Sequence, residues 1–587
     1  MAIPVTRNGT TTPKPKILIP EKVSPDGLAL LKQSFEVDEK KGLSPEELES
    51  IIGEYEALIV RSETKVTAQL LAAAKKLKVV ARAGVGVDNV DVEAATKHGI
   101  IVVNSPSGNI NAAAEHTIAL MMAVARNVSD ACSSIKAGKW ERSRLVGIET
   151  KGRTLAIVGL GKVGLTVARI ANGLGMRLVA YDPYANPNLA TAASVTLKDS
   201  LAEILKEADF LTLHTPLIAS TKGMIGAAEL ATMKPTARIL NVARGGMIDE
   251  DALVEALDAG TIAGAGIDVF TSEPPQPNSS ASRLIAHHKV VATPHLGAST
   301  KEAQENVSID VCEQVISILN GELPRSAVNA PLILPEEYRT LQPFVNLIEK
   351  MGSIYTQHYG SHLTGSSTRS QTFRTSFDII YEGSLSTLNT TKPLFAALVK
   401  GLLTPITSSD GLNINIVNAE LLAKERGILV NEIRSRENLE DKPYSSFVTL
   451  RARATRSSSH KRTDKSHAEL APQPLTPTED QVIQGFVSAN KPYISRLDRF
   501  QGEFIPQGTL LICRNFDSCG KIGFVGSALG RAGVNINFMN VAPLHEGAEG
   551  ERNEALMILG VDGEVGEGVV EGLVGEEGVL QAGVVCL

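Results

Sequence analysis

Between Lys16 and about Ala330, short runs of branched apolar residues alternate with stretches of helix length. The runs are "KILIP", "ALIVRS", "KVVARAG" and "IIVVNS", then "TLAIVGLG", "RLVAYDP", "FLTLHTP", "RILNVARG", "GAGIDVF" and "KVVATPH". A strand that is apolar throughout is buried on both faces, and alternation with helices is the signature of parallel sheets covered by crossover helices. The first four runs end at Asn104, and the second set begins at Thr154. Between them "NAAAEHTIALMMAVARNV" is apolar on most faces and reads as one long buried helix. Two α/β lobes hinged by that helix are expected. The stretch "STKEAQENVSIDVCEQVISIL", after His295, is expected to return as a helix to the first lobe.

Beyond "NAPLILPEE" the pattern changes. "FDIIYEG", "NINIVNAELLAKERGILVNEI" and "SSFVTLRARA" mix strands and helix in a separate α+β module. Arg453–Asp480, "RATRSSSHKRTDKSHAELAPQPLTPTED", has too few apolar anchors to offset the entropy of ordering and reads as a disordered insertion. From Gly508 the order is strand, helix, two strands, a glycine-weakened helix over "VGEGVVEGLVGEE" and a last strand, a βαββαβ ferredoxin-like sandwich. A chain of 587 residues suits this division into several cores.

Composition excludes several classes. A net charge of −7 argues against a general nucleic-acid binder. The five cysteines, Cys132, Cys312, Cys513, Cys519 and Cys586, lack metal-ligand spacing, so no metal is expected, and their odd number suits a reducing compartment. The start, "MAIPVTRNGTTTPKPK", lacks an apolar signal core, and no apolar run approaches the roughly 20 residues of a membrane helix. Residues 1–15 read as a flexible tail that looks too short for a transit peptide, and the protein as cytoplasmic, with a plastid as the alternative.

"LAIVGLGKVG" sets Gly159, Gly161 and Gly164 in G-x-G-x-x-G spacing between a strand and a helix. The first glycine permits the tight turn, the second lets backbone approach a pyrophosphate, the third allows close packing, and the helix N-terminus offers N–H groups to the anion. Asp182 ends the next strand about 20 residues on, where a carboxylate holds a ribose 2′-hydroxyl and repels a 2′-phosphate. The pair points to NAD over NADP; the bland alternative is a plain strand–helix turn and a helix cap.

Arg244, Glu273 in "DVFTSEPP" and His295 in "VVATPHLGAST" each follow an apolar strand of the same lobe. Taken singly, each could be structural. Parallel strands, however, deliver all three to the edge where the cofactor binds. Oxidising a secondary alcohol needs a base that titrates near neutrality, which suits His295. A carboxylate on the far ring nitrogen fixes the tautomer and favours the imidazolium, the role for Glu273. A guanidinium binds a carboxylate through two parallel N–H bonds, so Arg244 is expected to hold a 2-hydroxy or 2-oxo acid. Gly245 and Gly246 are expected to let its loop pass close to the cofactor.

"LTLHTPLIASTKGMI", "NVARGGMIDEDAL" and "TPHLGASTKEAQ", with the glycine loop and "GAGIDVFTSEPP", resemble the D-isomer-specific 2-hydroxyacid dehydrogenase family. "VVARAGVGVDNVDVEAATKHGIIVVNSPSGN" and "IKAGKWERSRLVGIETKGRTLAIVGLGKVG" narrow the resemblance to its long-form D-3-phosphoglycerate dehydrogenase branch, and "KPLFAALVKGLLTP" and "VNAELLAKERGI" extend it through an intervening domain to a terminal ACT domain. The resemblance implies a substrate-binding domain at 16–108 and 299–330, an NAD-binding Rossmann domain at 109–298, an intervening domain at 331–505 and an ACT domain at 508–587. It implies NAD-dependent oxidation of 3-phosphoglycerate, with Arg244, Glu273 and His295 as the catalytic set. Cofactor contacts carry over to Lys162, Val163, Thr215, Val242, Asp268, Gly297 and Ala298 beside the glycines and Asp182. Substrate contacts carry over to Arg61, Arg82, Gly84 and Asn109, while Arg142 and Arg144 resemble residues that reach a neighbouring subunit; for the arginines, solvated surface charge is the alternative. In the ACT domain Asn515, Asp517 and Asn535 occupy regulatory positions, although "DSCG" stands where a Pro-Gly turn is usual. An L-serine effector and a homo-oligomer, dimer or tetramer, follow from the same likeness. Two rival readings remain: a hydroxypyruvate or glyoxylate reductase, and an NAD-sensing corepressor scaffold.

Overall fold

A computed structural model describes residues 14–360, 374–407, 413–435, 445–453, 481–544, 553–574 and 578–587. The expected tail lies outside these residues except for Lys14 and Pro15, as does the expected insertion except for Arg453. Among the described residues no helix is long and apolar enough to cross a membrane. The chain divides into two compact units, Met1–Lys65 with Val80–Val90 and Val103–Asn320, and Val66–Val79 with Asp91–Val102 and Gly321–Leu587.

Residues 16–292 form two sheets. Strands β1 (Lys16–Ile19), β2 (Glu36–Glu39), β3 (Ala57–Val60), β4 (Val79–Arg82) and β5 (Ile101–Asn104) run in the order β2-β1-β3-β4-β5, with β1 parallel to both neighbours. The second sheet contains β6 (Thr154–Val158), β7 (Arg177–Tyr181), β8 (Val195–Leu197), β9 (Phe210–Leu213), β10 (Arg238–Asn241), β11 (Gly264–Ile267) and β12 (Val290–Ala292). Their order is β12-β11-β10-β9-β6-β7-β8, and every pairing is parallel. In this doubly wound order the chain reverses its direction of travel across the sheet at the β6–β9 seam, and ligands bind beyond the carboxyl ends of strands there.

All ten expected runs form strands. Two further strands, β2 and β8, carry no such run: "EVDE" is polar and half-exposed, and "VTL" is three residues long. Both lie at sheet edges, where one flank needs no apolar cover. The helix expected as the hinge, Ile110–Ala125, buries Ala114, Leu120, Met121 and Val124. It stops earlier than its apolar run suggests, because Asn127 adopts a left-handed φ of 52° and starts a separate helix, Val128–Lys136. Strand β11 lies close against helix Ile110–Ala125: a Cβ on Gly266 would stand 2.9 Å from Leu240 and 3.2 Å from Val124. The expected returning helix is Lys301–Leu319, and helix Pro25–Lys32 packs on it with Gly27 facing Cys312.

In the second unit, β13 (Ser376–Gly383), β14 (Leu429–Arg434), β15 (Ser446–Ala452), β16 (Gln481–Ser488), β17 (Lys491–Leu497) and β18 (Phe500–Phe504) form a mixed sheet in the order β14-β13-β15-β16-β17-β18. Strands β19 (Thr509–Phe516), β20 (Asn535–Pro543), β21 (Glu554–Asp562) and β22 (Val579–Cys586) form an antiparallel sheet in the order β20-β21-β19-β22, with helices Lys521–Arg531 and Glu567–Leu573 completing βαββαβ. The glycine-rich helix is only seven residues long and buries Val570 and Leu573. Segments Val66–Val79 and Asp91–Val102, expected with the first lobe, group here. The Asn413 and Asn415 side chains donate to Gly99 O at 3.0 and 2.6 Å, and Asn329 Oδ1 accepts from Val102 N at 2.9 Å.

One apolar core joins both sheets of this unit through helix Pro335–Gly360, whose Leu347, Met351 and Tyr355 meet Leu398 and Leu402 of helix Lys392–Leu403. The two helices touch backbone to backbone at Gly352 and Gly401. A Cβ on Gly401 would stand 2.0 Å from Glu349 O, and one on Gly352 2.8 Å from Leu398 O. Gly401→Ala must therefore push the pair apart. A loss of about 2 kcal/mol is expected from such overpacking, seen as a lower denaturation midpoint, with NAD affinity of the still-folded protein unchanged.

Candidate active site

The glycine loop between β6 and helix Lys162–Gly173 shows three different environments. Gly159 has φ of 90°, and a Cβ there would stand 2.6 Å from His214 O and 2.7 Å from Thr215. Gly164 packs against Gly159 O, 2.2 Å from where its Cβ would be, whereas Gly161 has nothing within 4 Å. These are the turn, packing and ligand-approach roles in turn. Gly161 caps the helix without a side chain, which leaves the first N–H groups to an anion. Asp182 Oδ2 accepts from Leu160 N and Oδ1 from Tyr184 N, each at 2.8 Å, so the carboxylate is fixed beside the loop. The set fits a dinucleotide. Beside it lies a cavity of about 740 Å³ lined by Ser107, Asn111, Lys162, Thr166 and Arg169 among others, with Lys162 Nζ donating to Ser107 Oγ at 2.6 Å. The lining does not include Arg244, Glu273 or His295.

Parallel pairing of β9, β10, β11 and β12 brings their following loops to one edge. His295 Nδ1 lies 2.7 Å from Glu273 Oε2, and Glu273 Oε1 accepts from Phe270 N at 2.8 Å. The Glu273 carboxylate raises the His295 pKa above 6.5, outweighing burial. Burial opposes the charge on Glu273, but the hydrogen bonds from His295 and Phe270 N prevail and hold its carboxyl below the usual range. His295 itself adopts a left-handed φ of 55°.

Asp268, fully buried, anchors that loop. Oδ1 accepts from Thr293 Oγ1 at 2.6 Å and Leu296 N at 2.7 Å, Oδ2 accepts from Gly297 N at 2.8 Å, and His116 Nε2 lies 3.2 Å from Oδ1. Burial penalises its charge, yet these hydrogen bonds lower its pKa. Gly297 packs on Val242 and Asp268; Val242 is buried, and Val163 and Ala298 are half-buried.

Arg244 Nε donates to Asp88 Oδ2 at 3.2 Å and its NH1 to Ala243 O at 2.7 Å. Gly86 and Gly84 leave room for guanidiniums, since their Cβ atoms would stand 2.1 Å from Arg244 and 1.9 Å from Arg82. Burial first, and then the Arg244 charge, lower the pKa of Arg82. Glu21, 6% exposed, accepts backbone N–H groups of Arg61, Glu63 and Thr64 at 2.9, 3.2 and 2.9 Å, while Asn89 donates to Arg61 O and Thr64 O. Arg61, Arg82 and Arg244 therefore share one electrostatic neighbourhood. Gly245 has a tighter neighbour than the cofactor expected from sequence: its Cβ would meet Phe270 O at 2.0 Å, so this glycine lets two protein backbones pass. Gly246 has φ of 82°.

Other expected residues lie apart from this set. Arg144 pairs with Glu141 at 3.0 Å and Asp130 at 3.6 Å on an exposed turn that also carries Arg142. Asn109 is the N-cap of helix Ile110–Ala125 without a side-chain capping bond, and Thr215 Oγ1 donates to Met247 Sδ at 3.3 Å. In the βαββαβ module Asn535 meets Asn537 and Asp562, whereas Asn515 is only 3% exposed and Asp517 is exposed. Sequence reasoning missed Glu21, Asp88, Asn89, His116, Asn537 and Asp562. Only Asp88, between "GVGV" and "NV", stands in a glycine-rich loop that could have flagged it.

The fold and this edge define a dehydrogenase of the D-isomer-specific 2-hydroxyacid class, and its dinucleotide is NAD. Residues 118–297 match the NAD-binding domain of that class. A putative NAD-binding D-isomer-specific 2-hydroxyacid dehydrogenase from Polaromonas sp. JS6 66 superposes with a TM-score of 0.50 at 26% identity, covering 54% of this chain and 100% of its own. Residues 340–463 match the D-3-phosphoglycerate dehydrogenase intervening domain. The chloroplastic D-3-phosphoglycerate dehydrogenase 2 of Arabidopsis thaliana is 44% identical over 556 residues, 94% of this chain and 84% of that protein. The D-3-phosphoglycerate dehydrogenase of Methanocaldococcus jannaschii is 40% identical over 556 residues, 95% of this chain and 97% of its own. The chain belongs to the D-3-phosphoglycerate dehydrogenase family.

The glycine loop separates binding from folding. Gly161→Ala should leave the thermal midpoint within about 2 °C yet weaken NAD about tenfold or more, because the new methyl enters only ligand space. Gly164→Ala should lower the midpoint itself. Calorimetry and NAD titration of both variants check the contrast.

Proposed function

We propose that this chain oxidises 3-phospho-D-glycerate to 3-phosphohydroxypyruvate with NAD, the first step of L-serine biosynthesis. The observation that supports this most is the 2.7 Å Glu273–His295 hydrogen bond on the sheet edge that also presents Arg244. With Nδ1 held by Glu273, Nε2 of His295 takes the substrate hydroxyl proton. Bound NAD supplies the hydride acceptor. Arg244 receives the substrate carboxylate through the guanidinium edge that Asp88 already shows can hold one. Arg61 and Arg82, neighbours in charge, receive the phosphate. Asp268 holds the loop after His295, and Asp182 sets the preference for NAD.

An L-serine effector at the module carrying Asn535, Asn537 and Asp562, and a dimer or tetramer to which Arg142 and Arg144 contribute, belong to the same proposal. So does a cytoplasmic location, with the plastid as the alternative. The reductase reading needs no phosphate site and leaves the Arg61–Arg82 pair without a purpose; the corepressor reading leaves the Glu273–His295 pair without one.

Purified protein should reduce NAD with 3-phosphoglycerate and at least tenfold more slowly with glycerate, and added L-serine should slow it. Equal rates with both acids would favour the reductase reading. His295→Asn should cost about 10²-fold or more in turnover with NAD affinity within a few-fold. The pH dependence has a defined sign. Oxidation needs neutral His295, so kcat/KM falls as pH drops below its raised pKa, whereas reduction needs the imidazolium and falls above it. Glu273→Gln removes the main cause of the rise, so the oxidation limb should move to lower pH in a rate profile.

A further inference from the structure

Two residues before Glu273, the backbone is held by a carboxylate from another element. Glu250 opens helix Glu250–Asp258 and is 7% exposed. Its Oε1 accepts from Thr271 N at 2.7 Å and from Thr271 Oγ1 at 2.9 Å, and its Oε2 accepts from Ser280 Oγ at 2.7 Å. The adjacent N–H, that of Phe270, goes to Glu273 Oε1 at 2.8 Å. Two consecutive backbone donors are thus claimed by two carboxylates, one fixed and one facing His295. Gly245 closes the other side, since its missing Cβ lets Phe270 O and Thr271 N approach to 2.0 and 2.7 Å of that position.

We propose that Glu250 is a positioning residue for the acid–base pair: it clamps the Phe270–Glu273 turn so that the Glu273 carboxylate keeps its hydrogen bond to His295 Nδ1. The inference rests on the reading of Glu273 and His295 as that pair. A buried carboxylate is costly unless its lone pairs are satisfied, and here three donors satisfy it. Donors from backbone and hydroxyl make the clamp directional, where an ion pair would leave it free to pivot. Removing the charge does not touch substrate or NAD. It lets the turn relax, lengthens the Glu273–His295 contact and returns His295 towards its ordinary pKa. Glu250 therefore acts on the rate through Glu273 alone.

The test is a double-variant cycle read as pH profiles of NADH production from 3-phosphoglycerate. Glu250→Gln should lower kcat about tenfold and shift the oxidation limb to lower pH, with KM for NAD within about twofold. Thr271→Val, which removes one donor at an exposed position, should shift the limb in the same direction by less, and stands in if Glu250→Gln does not fold. In a Glu273→Gln background the Glu250→Gln change should cost less than about twofold, because its partner in the effect is gone. An unmoved limb, or a full tenfold cost in that background, would overturn the positioning role. Wild-type protein that reduces NAD with no 2-hydroxy acid would instead overturn the functional reading, and the proposal with it.

Discussion

The site is organised around a charge the solvent cannot reach. Asp268 is fully buried, where an isolated carboxylate would lose several kcal/mol of hydration. Four donors offset that loss, and three of them, Thr293 Oγ1, Leu296 N and Gly297 N, lie on the segment that carries His295. The compensation and the geometry are one set of bonds. Because the carboxylate cannot be rehydrated, the segment cannot swing away without leaving it unpaired, and His295 can be kept in a left-handed conformation that few side chains adopt freely. His116, from helix Ile110–Ala125, is the fourth donor. The helix that follows the first sheet thereby reaches the segment that follows β12.

The pairing of strands does the rest. Parallel register among β9, β10, β11 and β12 delivers residues separated by dozens of positions to one edge. Each arrives on a loop whose backbone is held by hydrogen bonds. Asn241 Nδ2 donates to Arg244 O at 2.8 Å and Asn241 Oδ1 accepts from Ala243 N at 3.1 Å, so the turn bearing the guanidinium is closed by the last residue of its own strand. Preorganisation of this kind matters because a side chain that must first be ordered spends part of its interaction energy on ordering.

Much of this was legible in the residues. Apolar runs located ten strands of the first two sheets, and glycine spacing located the turn, because both follow from local sterics and burial. Strands β2 and β8 were not legible, since an edge strand needs no apolar run. The placement of Arg244, Glu273 and His295 could be read because parallel strands share an edge whatever their order. What occupies their free atoms could not. Asp88 sits 156 positions from Arg244, and no pattern links "GVGVD" to "VARGG" before the sheets form. Asn515 shows the converse limit: a polar residue at the end of a strand looked available, but the packing of β19 against its neighbours buries it.

The arginines raise a last electrostatic point. Burial disfavours the charge of Arg82 first, and the Arg244 and Arg61 guanidiniums add to that effect. Such a cluster is tolerated because carboxylates stand among the cations. Glu21 and Asp88 both favour the charged form of Arg82, and Glu21 is itself fixed by three backbone N–H groups. Two carboxylates against three guanidiniums leave a positive excess. Asp88, exposed and bound through a single 3.2 Å contact, is the looser of the two counter-charges. Glu21, buried and held by three bonds, is the tighter. The cluster thus combines one fixed counter-charge that sets the fold of the loop with one exposed counter-charge held by a single hydrogen bond.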